Sequence, residues 1–251
     1  MRTDLLPLAA VVPAALMYYV GLHRRVGRRR AGMDAFLFAA GLGALVIALV
    51  SPLASLDQEL FWAHMSQHVL LLAVAPPLIL LGRPWSTISR ALPTGLRRAT
   101  ARAVLRRSWM SPPIALVLFC GAVVAWHIPA LYNATLASSG VHVFEHALFL
   151  ATGVLFWSQL IDSPPFRSRL DAPRRALYGA VGMAVGSAVG LVLAVASTPL
   201  YEAYADLPVR PGGISALADQ HLAAGIMWVP GSIPFAAAFV VFVYRWLDEE
   251  S

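Results

Sequence analysis

The sequence predicts an all-α fold, a bundle of seven transmembrane helices in one membrane domain over residues 1–251. Three observations support this fold class. Hydrophobic residues make up 59% of the chain and charged residues only 13%, whereas about a quarter of the residues in soluble domains are charged. The apolar residues gather into stretches of about 20 residues, the length that crosses a bilayer. Basic residues cluster after every second stretch, as in a polytopic membrane protein.

Seven apolar stretches are candidate spans. They lie near residues 5–22, 32–51, 60–81, 112–130, 142–161, 174–198 and 216–245. The last stretch is longer than a straight crossing requires, and Pro230 and Pro234 in its middle are expected to kink or break it. Arginines alternate with apolar residues between the third and fourth stretches, which predicts a short helix on the membrane surface.

Arginine placement predicts the orientation of the bundle. All basic residues are arginine, and nearly all follow the first, third, fifth or seventh span. The arginines on this side are Arg24, Arg25, Arg28, Arg29, Arg30, Arg83, Arg90, Arg97, Arg98, Arg102, Arg106, Arg107, Arg167, Arg169, Arg174, Arg175 and Arg245. Only Arg2 and Arg210 fall on the other side. By the positive-inside rule the N-terminus lies outside and the C-terminus inside. The net charge of +6 therefore indicates topology and contact with anionic membrane lipid, and gives no support for nucleic-acid binding.

Several common functional signals are absent from the sequence. The charge at the N-terminus follows the first apolar run instead of preceding it, which argues against a cleaved signal peptide. The single Cys120 excludes a disulfide framework and a Cys-x-x-Cys metal motif. There is no phosphate loop, dinucleotide fingerprint or nucleophile with an adjacent base. A soluble-enzyme mechanism therefore has no support in the sequence.

Two histidine pairs mark the candidate site. His64 and His68 open the third span, and His142 and His146 open the fifth. Residues four apart on a helix differ by about 40° and one turn, so both rings of a pair can reach one ion. Ionisable side chains at a membrane helix face water or have partners inside the bundle. Each pair therefore predicts two ligands on one rigid element.

Further polar residues lie at the same predicted outer level. His127 ends the fourth span just before Pro129, and Asp219 and His221 open the seventh. Asp219 and His221 differ by about 200° on a helix, so they cannot point the same way on a regular one. All the histidines except His23 thus fall at one end of the predicted bundle. The candidate metal ligands are His64, His68, His127, His142, His146, Asp219 and His221.

A metal site is the preferred interpretation of this cluster. Imidazole suits copper, zinc, iron and nickel, and a thioether from Met65 or Met227 would favour Cu(I). Haem is an alternative, because histidines from two spans supply axial ligands in many proteins. A hydrogen-bonded histidine network that closes the bundle is the structural alternative.

Two other classes of function stay open. A haem- or quinone-linked membrane oxidoreductase is one, and a metal-dependent membrane hydrolase is the other, with Glu145 or Asp219 as the base to a metal-bound water. The loop acids Asp57 and Glu59 are more simply solvated than bound to imidazoles. A transporter is disfavoured, because no charged residue marks a path through the predicted inner half of the bundle.

A series of motifs resembles one known family. In order, the motifs are His64-Met-x-Gln-His68, Ala75-Pro-Pro-Leu with Gly82, Trp126-His-x-Pro-x-Leu-Tyr132, His142-x-x-Glu-His146 with Phe156-Trp157, Thr198-Pro-Leu-Tyr201 and Asp219-Gln-x-Leu-Ala-x-Gly225-Ile-Met-Trp228. Together they resemble the CtaG-type cytochrome c oxidase assembly factors over about residues 30 to 245.

The resemblance implies a multi-pass protein of the bacterial plasma membrane that helps to mature a terminal oxidase and handles copper. Its partners would be membrane lipid and the terminal oxidase subunits. Carried over by position, the implied polar site consists of His64, His68, His127, His142, His146 and Asp219. His221 ranks last, because the family usually carries glutamine at this position.

Overall fold

The computed structural model describes residues 7–24, 31–105, 111–165 and 167–250. Within these ranges the chain is helical and contains no β-strand, so the predicted all-α class is confirmed. The helices are α1 (Leu8–His23), α2 (Ala31–Leu49), α3 (Leu53–Leu56), α4 (Phe61–Val69), a π-helical turn (Leu70–Val74), α5 (Ala75–Leu81), α6 (Pro84–Ile88), α7 (Thr94–Leu105), α8 (Pro112–Trp126), α9 (Pro129–Ala137), α10 (Ser139–Leu160), α11 (Ala172–Val195), α12 (Glu202–Ala205), a 3₁₀ turn (Pro211–Gly213) and α13 (Ala216–Glu250).

Five helical segments of the described chain are long and apolar enough to cross a membrane. A sixth is obtained if α8 and α9 count as one span, although they meet at an angle of 75°. The first predicted span appears as α1, an apolar helix of 16 residues, which is shorter than a full crossing. A multi-pass membrane protein is thus supported, while the number of seven spans and the orientation of the termini stay predictions.

Two expectations about local structure have different outcomes. The predicted surface helix between the third and fourth spans is present as α7, whose described side chains are mostly exposed. The prolines of the last span predict a kink or a break. The break is absent, because α13 continues as one helix through Pro230 and Pro234, and the kink stays a prediction. A proline removes one N–H from the helical ladder, and the uninterrupted hydrogen bonds on either side keep an apolar helix intact in a bundle.

The segment Phe61–Leu81 is one rod with an irregular middle. Pro76 and Pro77 lack the N–H groups that would bind the carbonyls four residues earlier, in the π-helical turn. The indole N–H of Trp157 on α10 donates instead to the Leu72 carbonyl, at 2.8 Å. Gly153 allows this close approach, because a Cβ there would lie only 3.1 Å from the Leu72 oxygen. The α10 helix is therefore held against the turn that follows His68.

The apolar core surrounds this contact. Buried side chains from α2, the π-helical turn, α8, α10, α11 and α13 form one cluster, with Leu71, Phe149, Phe156 and Trp157 almost fully enclosed. A second cluster contains Phe61, Met65, Tyr132, Tyr201 and Tyr204. This aromatic cluster packs the start of α4 against α9, α13 and the loop that precedes α12.

The two ends of the bundle carry different residues. The histidine end is formed by the first turns of α4, α10 and α13 and the last turns of α8 and α11. The arginine end is opposite, where a cavity of about 820 Å³ is lined by Arg83, Arg175 and Arg245. Of the arginines used for orientation, those outside the described residues are Arg2, Arg25, Arg28, Arg29, Arg30, Arg106 and Arg107.

Candidate metal centre

The first turn of α4 is fixed by a residue distant in the sequence. The backbone N–H groups of Phe61 and Trp62 donate to the Asp219 carboxylate on α13, at 2.8 and 2.9 Å. The first N–H groups of a helix have no partner within it, and the helix dipole favours a negative charge at this position. Asp219 is completely buried and thus serves as a helix cap from another helix. This contact positions the turn that carries His64.

Four side chains converge below this cap. They are His64 and His68 on α4 and Glu145 and His146 on α10, and one donor atom from each lies within 4.8 Å of the others. His64 and Glu145 are fully buried and His68 is 3% exposed. His146 is partly exposed as a residue, but its Nε2 atom is buried. We call these four residues the metal centre.

Glu145 lies at the middle of the metal centre. Its Oε2 atom is 3.3 Å from His64 Nε2, and its Oε1 atom is 3.5 Å from His68 Nε2. One carboxylate therefore faces both imidazoles of α4. Glu145 is three residues after His142 on α10 and shares its helix face, and His146 is one turn after His142.

A hydrogen-bond chain determines the tautomer of His64. The Tyr204 hydroxyl donates to the backbone carbonyl of Asp57, and a carbonyl oxygen accepts only. The hydroxyl oxygen then accepts from His64 Nδ1, at 3.2 Å. With its proton on Nδ1, a neutral His64 presents the lone pair of Nε2 to a carboxylate oxygen. The two atoms lie 3.3 Å apart, so they form a hydrogen bond when one of them is protonated, and a metal ion bound to both would satisfy both lone pairs.

Several donor atoms of the cluster have no hydrogen-bond partner among the described residues. These buried atoms are both ring nitrogens of His68, Nε2 of His127, His142 and His146, and Oε1 of Glu145. Buried polar atoms in folded proteins are almost always paired, and each one left without a partner costs about 1–3 kcal/mol. Ligands around one ion at about 2.0–2.2 Å lie about 3.3 Å apart, so small side-chain movements close the set. The donors therefore fit a metal ion.

His142 and Asp57 extend the centre toward a larger cavity. His142 Nε2 is 3.7 Å from Asp57 Oδ2, and the His142 ring centroid is 4.2 Å from that of His146. Burial raises the pKa of Asp57, although His142 nearby counteracts this. Asp57, expected from sequence to be solvated, is only 4% exposed, while Glu59 is exposed. A cavity of about 670 Å³ is lined by Asp57, His142 and His146 and gives access to this side of the centre.

His127 stands apart from the four residues of the metal centre. Its ring centroid is 6.3 Å from that of His68, on the side away from His142. Its Nδ1 atom donates to the Val123 carbonyl at 2.6 Å, one turn earlier on α8. This bond leaves the Nε2 lone pair free to bind a ligand. His127 is therefore a donor with a fixed orientation, but it lies outside the four residues of the metal centre.

The remaining candidates have different positions. His221 is exposed, and its Nε2 atom lies 3.2 Å from the Ala196 carbonyl, away from the other histidines. Asp219 points inward as a helix cap, so the two residues lie on opposite faces of α13, as their spacing predicts. The Met65 thioether is buried in the aromatic cluster, whereas Met227 lines a small cavity beside His68 and His127.

Sequence reasoning considers Glu145 only as a possible base and leaves it out of the candidate ligands. A usable signal exists, since Glu145 shares a helix face with His142. Tyr204 is not singled out at all by its sequence context. Its role depends on a contact with Asp57, 147 residues away, which no local pattern predicts.

Comparisons with known proteins identify the family of this sequence. The sequence model for the cytochrome c oxidase caa3 assembly factor matches residues 16–249, nearly the whole chain. No solved structure matches the chain. Among curated proteins, an uncharacterized protein of Mycobacterium bovis is 26% identical over 264 residues, which cover 99% of this chain and 40% of that protein.

Two further relatives come from the same genus. An uncharacterized protein of Mycobacterium tuberculosis is also 26% identical. One of Mycobacterium leprae is 24% identical over 266 residues. The chain spans 40% of the length of each of these relatives. The match to the family model covers every helix of the metal centre, and the chain belongs to the caa3-type cytochrome c oxidase assembly factor family.

Proposed function

We propose that this chain binds a copper ion at the metal centre and supplies it to a copper-containing oxidase during assembly. The observation that carries the proposal is the contact between His64 Nε2 and Glu145 Oε2 at 3.3 Å. The Tyr204 hydroxyl accepts a hydrogen bond from His64 Nδ1–H, so Nε2 presents its lone pair to the Glu145 carboxyl group in a buried site. A metal cation satisfies both atoms and neutralises the carboxylate at once.

The donor set and its packing support a small ion over haem. Three imidazoles and one carboxylate suit copper or zinc, and the family's role in oxidase assembly favours copper. The His64 ring centroid is 4.4 Å from that of His68 and 5.7 Å from that of His146. A macrocycle with axial histidines needs a wide slot between them, and these rings are in direct contact instead.

The ends of the bundle support an outward-facing centre. The described arginines Arg83, Arg175 and Arg245 lie together at the end opposite the histidines. The positive-inside rule assigns the arginine end to the cytoplasm. In a seven-span bundle of the bacterial plasma membrane, the metal centre then faces the outside, where an oxidase subunit receives the ion. The cavity lined by His142 is the opening for that exchange.

The test is metal retention by the detergent-purified full chain. We expect the native protein to keep copper after dialysis at pH 7.5, and His64→Ala/His68→Ala to keep none. The matched control is His221→Ala, which removes an exposed histidine at the same end and should retain the ion. Equal copper in the native protein and the double variant would reject the proposal.

Dialysis at lower pH separates a metal centre from a histidine network. Ligating imidazole is neutral, so protons compete with the ion around the ordinary histidine pKa of about 6.5, or lower when metal is bound. Lowering the pH from about 7.5 to 5 should release copper with the uptake of more than one proton per ion. Proton uptake without release of an ion would indicate the network.

A further inference from the structure

A small cavity lies on the other side of His68 from the large opening. It has a volume of about 60 Å³ and lies between the π-helical turn, α8, α11 and α13. Sites for organic cofactors occupy about 300–1,000 Å³, so this space suits an ion and no larger ligand. Its donors are His68, His127, Met183 and Met227 together with the hydroxyls of Ser187 and Ser232, and its other walls are apolar residues and glycine.

Each histidine of this cavity has at least one ring nitrogen without a hydrogen-bond partner among the described residues, although His68 Nε2 also lies 3.5 Å from Glu145 Oε1. The bond from His127 Nδ1 to the Val123 carbonyl leaves Nε2 unprotonated in the neutral ring. This atom is buried and has no hydrogen-bond partner in the described part of the chain. Neither ring nitrogen of His68 has one either. These nitrogens are buried in the wall of a mostly apolar cavity. The free-energy cost of burying them stays uncompensated unless a ligand binds them.

The two thioethers come from facing helices. Met183 on α11 and Met227 on α13 line the same cavity, and both are partly buried. One methionine in a membrane helix is most simply packing. Two thioethers that share a small cavity with the unpartnered Nε2 atom of His127 provide soft sulfur ligands, which favour Cu(I) over zinc and other divalent ions.

Glycine keeps this space open. Gly186 on α11 lines the cavity, and a Cβ at this position would meet no atom within 4 Å. At Gly182, one turn earlier on the same helix face, a Cβ would lie only 2.6 Å from the Phe156 ring. The cavity is thus a gap at one position of an otherwise close-packed helix face.

We propose that this cavity is a second metal site, which takes Cu(I) through His127, Met183 and Met227 and lies beside His68 of the metal centre. The inference rests on the proposed function, because an ion at this site would exchange with the metal centre. An ion that moves from the metal centre breaks its bonds to His64, His68, Glu145 and His146 and forms bonds to His127, Met183 and Met227. No electron is transferred in this ligand exchange.

The experiment uses Cu(I) under anaerobic conditions with ascorbate, the detergent-purified full chain, a chromophoric Cu(I) chelator as competitor, and X-ray absorption. We expect two ions in the native protein, with sulfur in the copper coordination shell. Met183→Leu/Met227→Leu should bind one ion without the sulfur signal, since this swap conserves volume. Gly186→Leu should have the same effect by filling the cavity. Met33→Leu, an exposed methionine at the arginine end, is the control.

The outcomes separate this inference from the proposed function. One ion without sulfur in the native protein would overturn the second site and leave the metal centre in place. Two ions with sulfur in Met183→Leu/Met227→Leu would also overturn it. No bound ion would overturn both. A Glu145→Gln/His146→Ala variant that keeps one sulfur-coordinated ion, beside a native protein with two, supports both sites as distinct.

Discussion

Two polar contacts at opposite ends of the bundle differ in how completely they are paired. At the arginine end, Arg175 donates to both oxygens of Asp162, at 2.9 and 3.1 Å, and to the carbonyls of Leu160 and Leu170. At the histidine end, Glu145 faces two imidazoles, yet its Oε1 atom has no hydrogen-bond partner among the described residues. The first contact is complete within the protein, whereas the second is not, which is compatible with metal binding.

This difference distinguishes a structural contact from a binding site. Charged groups whose partners all come from the protein hold loops and helices together. A buried set of donors with free lone pairs costs stability when empty, and a bound ion recovers that cost. Substitutions at the two ends should therefore affect different properties, metal affinity at one and fold stability at the other.

The largest expected effect is at Glu145. Glu145→Gln keeps the shape of the side chain but removes its charge and one ligand oxygen. Copper affinity should fall by more than about 100-fold, because loss of a residue that only supports a ligand already costs about 10–100-fold. The melting temperature without metal should not fall, since the variant removes a buried charge. Competition with a chelator measures the affinity.

Asp162→Asn is the matched control for this prediction. It makes the same chemical change in the carboxylate at the arginine end, and copper affinity should stay at the native value. If both variants bound copper as the native protein does, the contrast between the two ends would be lost, and with it the assignment of Glu145 as a ligand.

An intermediate effect is expected at Asp219, which connects the two properties. Asp219→Ala leaves the N–H groups of Phe61 and Trp62 buried without their acceptor. Unfolding free energy should fall by about 1–2 kcal/mol, as for other lost helix caps, and copper affinity should fall about tenfold because His64 loses its support. Thermal unfolding measures the loss of stability, and competition with a chelator measures the loss of copper affinity.

Asp206→Ala tests whether this effect is specific. Asp206 is an exposed acid at the same end, so its removal should change neither quantity. Asp219→Asn keeps one acceptor oxygen. Its free energy of unfolding and its copper affinity should therefore lie between those of Asp219→Ala and those of the native protein. A melting temperature unchanged by Asp219→Ala would contradict the capping role.

The smallest effect is expected from Arg175→Met. The Asp162 side chain is 46% exposed, and such pairs contribute about 1 kcal/mol or less. Partial burial raises the pKa of Asp162, but hydrogen bonds from Arg175 and from the Ser168 backbone outweigh this and lower it overall. A lowered pKa contributes stability above the ordinary value of about 3.9 and loses it as the pH falls through the folded-state pKa.

The melting temperature at acid pH measures the contribution of the Arg175–Asp162 pair to stability. The difference in melting temperature between Arg175→Met and the native protein should be present at pH 7 and shrink below about pH 4. Copper affinity at pH 7 should be the same in both. A loss of copper in this variant would mean that the arginine end controls the metal centre.

Local patterns predict the helices and part of the site. Apolar length indicates the membrane helices, and the spacing of four places each histidine pair on one helix face. The spacing also separates Asp219 from His221 correctly. These features depend only on periodicity within one helix, which the sequence contains completely.

Sequence patterns within one helix do not predict the contacts between helices. The role of Asp219 depends on the approach of α13 to α4, 158 residues apart. The position of His127 outside the metal centre depends on how α8 packs beside His68. The sequence predicts that the fourth span ends near residue 130, whereas the chain continues there as α9, at 75° to α8. Pro129 indicates the break, but the direction of the next helix depends on packing against α12 and α10.

The Asp219 cap also affects the order in which the chain matures. The ribosome releases α4 long before α13, so the first turn of α4 lacks its acceptor until the last helix has been inserted. Tyr204, which determines the tautomer of His64, is likewise made late. The nascent protein therefore cannot fix the orientation of His64 in this way until translation is nearly finished.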